Sequence, residues 1–135
     1  MCARDIVGTH GTTFGGSPLA SALGHHVLSR ISARPFVAHI AETALHLRAR
    51  LERLPGWFPD VLKSDIRGRG LIVGLAFKSA ETPGKIVALA RERGVLLLTA
   101  GSDAVRFVPS LTVTKEEVDH AVDVLEGCLA KVSGQ

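Results

Sequence analysis

The stretch Ile66–Phe77, "IRGRGLIVGLAF", decides the fold predicted for this chain. From Leu71 to Phe77 it is almost continuously apolar, which is typical of a β-strand covered on both faces. Arg67 and Arg69 precede the apolar run, where a solvated start of the strand accounts for them, and the glycines between them suit tight packing. Because helical patterns lie on both sides of this strand, we predict an α/β fold.

Two helices are predicted on either side of this strand. Before it, apolar residues spaced by three and four predict a helix over Phe36–Leu54, which Pro55-Gly56 should end. After it, Thr82-Pro83 is typical of a helix start, and Gly94 is expected to cap the end of that short helix.

The C-terminal third predicts two further strands and a last helix. The strands are expected at Val95–Thr99 and Ala104–Pro109, with a turn at Gly101–Asp103 between them. Thr114 and Glu117 form a capping box that starts an amphipathic helix. The expected architecture is therefore a small, about three-stranded sheet with helices on one side.

Composition narrows the function classes. The chain has 135 residues, a formal net charge of +3 and two cysteines, Cys2 and Cys128, near opposite ends. The cysteine spacing predicts reduced thiols, with neither a disulfide framework nor a metal site. The basic residues are scattered, which argues against a nucleic-acid interface. No stretch predicts a membrane span, and the first residues do not resemble a signal peptide.

A glycine-rich and threonine-rich loop leads into the first predicted helix: "GTHGTTFGGSPLASALGHHVL", Gly8–Leu28. Ser17 is a favoured N-cap and Pro18 suits the first helical position, and the helix should end near Ala33. Glycine backbone, threonine hydroxyls and a helix N-terminus are the parts of a phosphate or carboxylate site. A flexible turn explains the same residues, and no Gly-Lys-Ser/Thr motif follows to decide between them.

Arg106 is the second candidate, because it interrupts an otherwise apolar strand. Its guanidinium must point into solvent or pair with an anion such as a carboxylate. The histidines do not make a metal site, since His25 and His26 face different directions and His39 and His46 are two turns apart. No nucleophile with an obvious base is found.

Four segments, in their order and spacing, resemble the C-terminal third of a class III pyridoxal-phosphate-dependent aminotransferase. They are the glycine-rich loop, "IRGRGLIVGLAF", "ARERGVLLLTAG" and "VRFVPSLTVTKEEVDHAVDVL". Within that family the resemblance is to the acetylornithine aminotransferases, particularly the fungal mitochondrial forms. It implies the small C-terminal domain of a fold-type I aminotransferase at residues 35–135, with a mainly antiparallel sheet. Residues 1–34 would be a remnant of the large domain.

The resemblance also implies site residues. Thr13, with Thr12 and Gly11, would bind the cofactor phosphate in the partner's active site of a homodimer. Thr12 and Arg106 would contact the amino-acid substrate, Arg106 through its carboxylate. Neither nucleic acid, membrane nor metal is an expected partner.

One departure from the family pattern concerns catalysis. The family's Schiff-base lysine belongs to sequence before the loop, and the first lysine here is Lys63. We therefore expect a fragment or truncated product of an acetylornithine transaminase that has no catalytic lysine and is inactive alone. The alternatives are a non-catalytic α/β association module, or a fragment of an ornithine or 4-aminobutyrate aminotransferase. The expected location is the mitochondrial matrix for a fungal protein and the cytoplasm otherwise.

Overall fold

A computed structural model describes residues 11–134, and the chain divides into two compact units, Met1–Val37 and Ala38–Gln135. The elements of the described part, in chain order, are α1 (Pro18–Ile31), α2 (Arg34–Leu51), α3 (Leu54–Trp57), β1 (Leu62–Arg69), β2 (Ile72–Phe77), α4 (Thr82–Glu92), β3 (Leu98–Ala100), β4 (Ala104–Phe107) and α5 (Lys115–Ser133). The α/β fold class is confirmed. The assignment of residues 1–34 to a large domain and of 35–135 to a small one stays a prediction.

Helix α1 begins as its sequence predicts. Ser17 is the N-cap, its side chain accepts a hydrogen bond from the Ala20 amide, and Pro18 is the first helical residue. The helix ends at Ile31, two residues before the predicted end, and Ser32 is its C-cap. None of its residues is buried.

Helix α2 differs from its prediction at both ends. It begins at Arg34 and ends at Leu51, and the next residues form the single turn α3 with Pro55 near its start. Proline is well tolerated in a first helical turn, so Pro55 starts α3 and does not end α2. The apolar stripe is nevertheless continuous, because Leu51 and Leu54 are both fully buried.

The sheet has four antiparallel strands in the order β1-β2-β4-β3, one more than the three expected. The strand expected from the apolar run Leu71–Phe77 is found as β2, but the residues expected to lead into it are the end of a separate strand, β1. Gly70 and Leu71 form the two-residue turn between them. Gly70 has a φ of 63°, the positive value that a type II′ hairpin turn requires at its first central position.

Gly68 shows why this hairpin needs glycine. Its φ is 111°, and a Cβ placed there would lie 2.1 Å from the Ile72 carbonyl oxygen. The expectation that glycines serve tight packing here is confirmed for Gly68. The close backbone approach lets β1 turn directly back along β2.

The two remaining strands are shorter than predicted. β3 begins at Leu98, because Gly94 and Val95 bond to the end of α4 and not to the sheet. The Gly94 amide donates to Arg91 O and the Val95 amide to Ala90 O. These two bonds, with a φ of 81° at Gly94, form a Schellman motif. The predicted cap at Gly94 is therefore confirmed, although Thr82 is the first residue of α4 and not its N-cap.

One face of the sheet carries the core. Alternation along the strands directs five buried side chains to that face: Val73, Leu75, Phe77, Val105 and Phe107. They belong to one cluster with buried residues of α2, α4 and α5. The prediction of helices on one side of the sheet is confirmed.

Helix α5 is fixed at its start and along its length. The Thr114 side chain accepts from the Glu117 amide, and the Glu117 carboxylate accepts from the Thr114 amide, which is the predicted capping box. Farther along, Asp119 accepts a 2.8 Å hydrogen bond from His46 and also pairs with Arg50. These contacts attach α2 to α5.

Candidate functional site

The loop before α1 is held in shape by its own residues. The Thr12 hydroxyl accepts a 3.1 Å hydrogen bond from the Gly15 amide, and the Ser17 amide donates to Phe14 O. A Cβ at Gly15 would lie 2.1 Å from Thr12 Cγ2, so a larger residue there would require the Thr12 side chain to move. These contacts lie within residues 11–17, while the predicted first residues of the loop, Gly8 to His10, lie outside the described ones.

The end of this loop presents hydrogen-bond donors. Ser17 satisfies the Ala20 amide and Pro18 has no N–H, which leaves the Leu19 amide without an acceptor among residues 11–134. Thr12 and Thr13 are exposed, and Thr13 makes no hydrogen bond within the same residues. A helix N-terminus adds partial positive charge, and no acidic residue lies in its first turn. This donor set suits a phosphate group.

The second candidate region is the face of the sheet opposite the core. The register places Arg67, Gly74 and Arg106 side by side on β1, β2 and β4, with Leu98 of β3 next in the row. Their side chains belong to the face opposite Val105, which is buried. A pocket of about 330 Å³ lies over this row, and Asp103 also lines it.

Charges around this pocket are mostly paired. Asp103 lies 2.7 Å from Lys63 Nζ and 3.6 Å from Arg67. Arg67 also bonds Asp65 at 2.6 Å. The hydrogen bond from Lys63 holds the pKa of the Asp103 carboxyl below its usual value, and the bond to Asp65 raises the pKa of Arg67. Asp103 and Arg67 are thus each held in the charged form by these neighbours.

Arg106 differs from its neighbours. Its side chain is exposed, and its guanidinium has neither a hydrogen bond nor an ion pair with any residue of the described part. With Lys63 and Arg67 neutralised by Asp103 and Asp65, the guanidinium of Arg106 carries the excess positive charge of the pocket. It is therefore available to bind a carboxylate through two parallel hydrogen bonds.

The structure brings some predicted residues together and adds others. Gly11, Thr12 and Thr13 form one loop in the first unit, and Arg106 lies in the second unit beside Arg67. Sequence reasoning considered Arg67 as a solvated residue and missed Asp103 as a member of the site. The signal that could have pointed to the cluster is the recurrence of charged residues at every second position from Lys63 to Arg69, although the register of β1 with β2 is irregular between Leu62 and Ile66.

Two of the histidines make contacts that join elements of the fold. His39 Nε2 lies 3.0 Å from Val113 O, and His46 pairs with Asp119. Across residues 11–134, no group of three or more His, Cys, Asp or Glu side chains is arranged to hold a metal ion. Nor does any helix of that part have the length and apolar character to cross a membrane.

Comparison with known proteins identifies the family. The model of the family "Aminotransferase class-III" matches residues 2–129, so the chain belongs to the class III aminotransferases. The fold and the recognised family are thus both confirmed.

Relatives within the family carry acetylornithine aminotransferase names. The chain is 43% identical over 127 residues to the mitochondrial acetylornithine aminotransferase of Neurospora crassa, covering 93% of this chain and 27% of that protein. It is 38% identical over 120 residues to the mitochondrial enzyme of Yarrowia lipolytica, covering 89% of this chain and 28% of that one.

Solved structures agree with these relatives. A lysine aminotransferase of M. tuberculosis matches with a TM-score of 0.82 and 31% identity over 94% of this chain and 29% of that one. The N-acetylornithine aminotransferase of Stenotrophomonas maltophilia matches with a TM-score of 0.77 and 32% identity over 87% and 33%. The chain thus spans about a third or less of the length of these proteins.

Proposed function

We propose that this chain is the part of an acetylornithine aminotransferase that binds the cofactor phosphate and a substrate carboxylate. The complete enzyme would transfer an amino group from N-acetylornithine to 2-oxoglutarate, giving N-acetylglutamate semialdehyde and glutamate. The observation that carries the proposal is Arg106, a cation without a partner in residues 11–134 on the open face of the sheet. The names of the relatives support acetylornithine as the amino donor.

The loop supports binding of pyridoxal phosphate, on which class III aminotransferases in general depend. When bound, this cofactor supplies the electron sink for amino-group transfer. Within residues 11–134 the Thr13 hydroxyl has no hydrogen-bond partner, Thr12 keeps a hydroxyl hydrogen to donate, and a Cβ built at Gly11 would meet no atom within 4 Å, which suits a close backbone approach. The amide of Leu19 adds a donor at the positive end of α1. Thr12 would also contact the substrate.

The phosphate bound by this loop would belong to the active site of a partner subunit. This follows from the family resemblance, in which the loop crosses the interface of a homodimer. The role of these residues is then to hold and orient groups, and proton transfer is left to residues of the partner.

We further propose that the 135 residues alone do not catalyse transamination. The chain has five lysines, and none corresponds to the Schiff-base lysine of the family. Lys63, the first of them, forms an ion pair with Asp103, and Lys115 lies 3.7 Å from Glu42. Mixing with pyridoxal phosphate should give no aldimine absorbance, and borohydride treatment should label no lysine stoichiometrically in a peptide map. A near-visible band with stoichiometric labelling of one lysine would contradict this.

A chimeric enzyme tests the substrate assignment. Residues 8–129 would replace the matching segment of the Neurospora crassa relative, and glutamate formation would be measured with acetylornithine, ornithine and 4-aminobutyrate. Acetylornithine should be the best donor. In the same chimera Arg106→Met should raise KM for acetylornithine about tenfold to a hundredfold, the loss expected for a charge-assisted bond. A preference for ornithine or 4-aminobutyrate would favour that type of aminotransferase instead.

One observation favours a second candidate, a non-catalytic association module. Leu19, Leu23 and Val27 on α1 are between 52% and 72% exposed, an uncovered apolar face of the kind that finds a partner. The module would bind itself or a full-length aminotransferase. Light scattering should then detect dimers that Leu23→Glu abolishes, with Ser21→Glu as the control on the same helix. A monomer at high concentration would exclude self-association.

The names of the same relatives support a proposal about the location. The fungal relatives are named mitochondrial. We propose the mitochondrial matrix for this chain if its source is a fungus, and the cytoplasm otherwise. Fluorescent tagging of the gene product in its own host would test this.

A further inference from the structure

The pocket over Gly74 has a cation on each side, but only one of them is available. Arg67 and Arg106 rise from the same face of the sheet, two strands apart, at a Cα separation of about 10 Å. Gly74 between them contributes no side chain, so both guanidiniums border the same space. A pocket with two free arginines at this distance would favour a ligand with two carboxylates.

Asp103 reduces the positive charge that this pocket presents to a ligand. Its two carboxylate oxygens face different cations: Oδ2 lies 2.7 Å from Lys63 Nζ, and Oδ1 lies 3.6 Å from Arg67. Arg67 is held from its other side by Asp65. Asp103 is also the best covered of these four groups, with a quarter of its side chain exposed, so its ion pairs are the least screened by solvent.

We propose that Asp103 is a specificity-determining residue that neutralises Lys63 and Arg67 and thereby restricts the pocket to a single carboxylate, bound by Arg106. The inference rests on the proposed function, because Arg106 is there the residue that binds the substrate carboxylate. It adds to that function the charge of the substrate group that enters this pocket. That group carries one negative charge, and the rest of the substrate is directed away from Arg67. Asp103 acts through Arg67 and Lys63 and does not itself contact the substrate.

The test uses the full 135-residue chain and two probes, propionate with one carboxylate and glutarate with two. Binding would be followed by ¹H–¹⁵N NMR at the backbone amides and at the side-chain Nε–H groups of Arg67 and Arg106. In the unaltered chain both probes should shift Arg106 with equal affinity and leave Arg67 unchanged. Asp103→Asn should bind glutarate about fivefold more tightly, with new shifts at Arg67, and propionate as before.

Two further variants make the result specific. Asp65→Asn releases Arg67 from its other partner and should increase the affinity for glutarate by less than Asp103→Asn does. If Asp103→Asn disturbs the turn at Gly101–Asp103, the result with Asp65→Asn tests the proposal in its place. Asp123→Asn is the matched control, because Asp123 pairs with Arg50 on the helical side of the sheet, and it should change neither probe.

The outcomes separate this inference from the proposed function. A glutarate affinity that neither Asp103→Asn nor Asp65→Asn increases overturns the inference, as does tighter glutarate binding through Arg67 in the unaltered chain. If Arg106 fails to respond to either probe in any variant, the assigned role of Arg106 is wrong. New glutarate shifts at Arg67 in Asp103→Asn support the role of Asp103 even in that case.

Discussion

Arg106 lies directly opposite Gly74 in the register of β4 and β2, so the guanidinium stands beside a position that has no side chain. A Cβ built at Gly74 would come no closer than 3.9 Å to any neighbour, which is ordinary van der Waals contact. The backbone therefore tolerates a larger residue there. What such a residue would remove is the space beside Arg106.

Gly74→Val should separate stability from binding. Valine suits a strand better than glycine, so the free energy of unfolding should rise by about 0.5–1 kcal/mol, measured by urea denaturation. The isopropyl group would fill the pocket, and the propionate shift at Arg106 should disappear. Gly74→Ala is the control, with binding weakened but retained. Unchanged propionate binding by Gly74→Val would show that the ligand lies elsewhere.

Gly68→Ala should destabilise the protein by about 3 kcal/mol, because the new Cβ meets the Ile72 carbonyl oxygen and φ is in the left-handed region. Gly70→Ala is the matched variant in the same hairpin. It has a positive φ but open space, so the cost should be about 1 kcal/mol. Thermal unfolding followed by circular dichroism measures both. Equal losses in the two variants would mean that the contact with Ile72 does not matter.

The attachment of α2 to α5 predicts a pH dependence. The hydrogen bond from His46 lowers the pKa of the Asp119 carboxyl below its ordinary value of about 3.9, so the unfolded chain binds the proton more readily. The stabilisation from Asp119 is therefore complete above about pH 5 and is lost as the pH falls through the lowered pKa. Unfolding free energies at pH 6 and pH 3 should differ less in Asp119→Asn than in the unaltered protein. Asp60→Asn, at an exposed residue without an ion pair in residues 11–134, should leave that difference unchanged.

Cys128 should report on opening of the core. It is fully buried in α5, and burial raises the pKa of its thiol, so little reactive thiolate is present. In a Cys2→Ser variant, labelling by a thiol reagent at pH 8 should be at least about a thousandfold slower than in denaturant. Labelling at the denatured rate would mean that α5 does not pack on the sheet as described.

Local signals predicted much of the fold. Ser17-Pro18, Gly94 and the Thr114–Glu117 capping box each act within a few residues, and each is found where the sequence predicts it. The hairpin was missed because an apolar run hides a turn: Leu71 is buried although it is a turn residue. The pattern of apolar residues alone cannot distinguish a chain that continues from one that reverses.

The candidate site was predictable in part for a similar reason. Arg106 could be found because a charge inside an apolar strand is conspicuous. Asp103 could not, since an aspartate in a turn is ordinary, and its importance comes from Lys63, forty residues earlier in the chain. That contact exists only because β1 and β4 both flank β2. The roles of Thr12, Thr13 and Gly11 came from the family resemblance and stay predictions.

The order of the strands leaves β1 and β3 as the two borders of the sheet, and both are poor templates for another molecule. β3 offers only three residues to pair with. β1 is long, but alternate residues along it are charged, from Lys63 to Arg69, so an incoming strand would have to lay its side chains beside a row of ions. The same charges that surround the pocket thus also protect the protein against fibrillar aggregation.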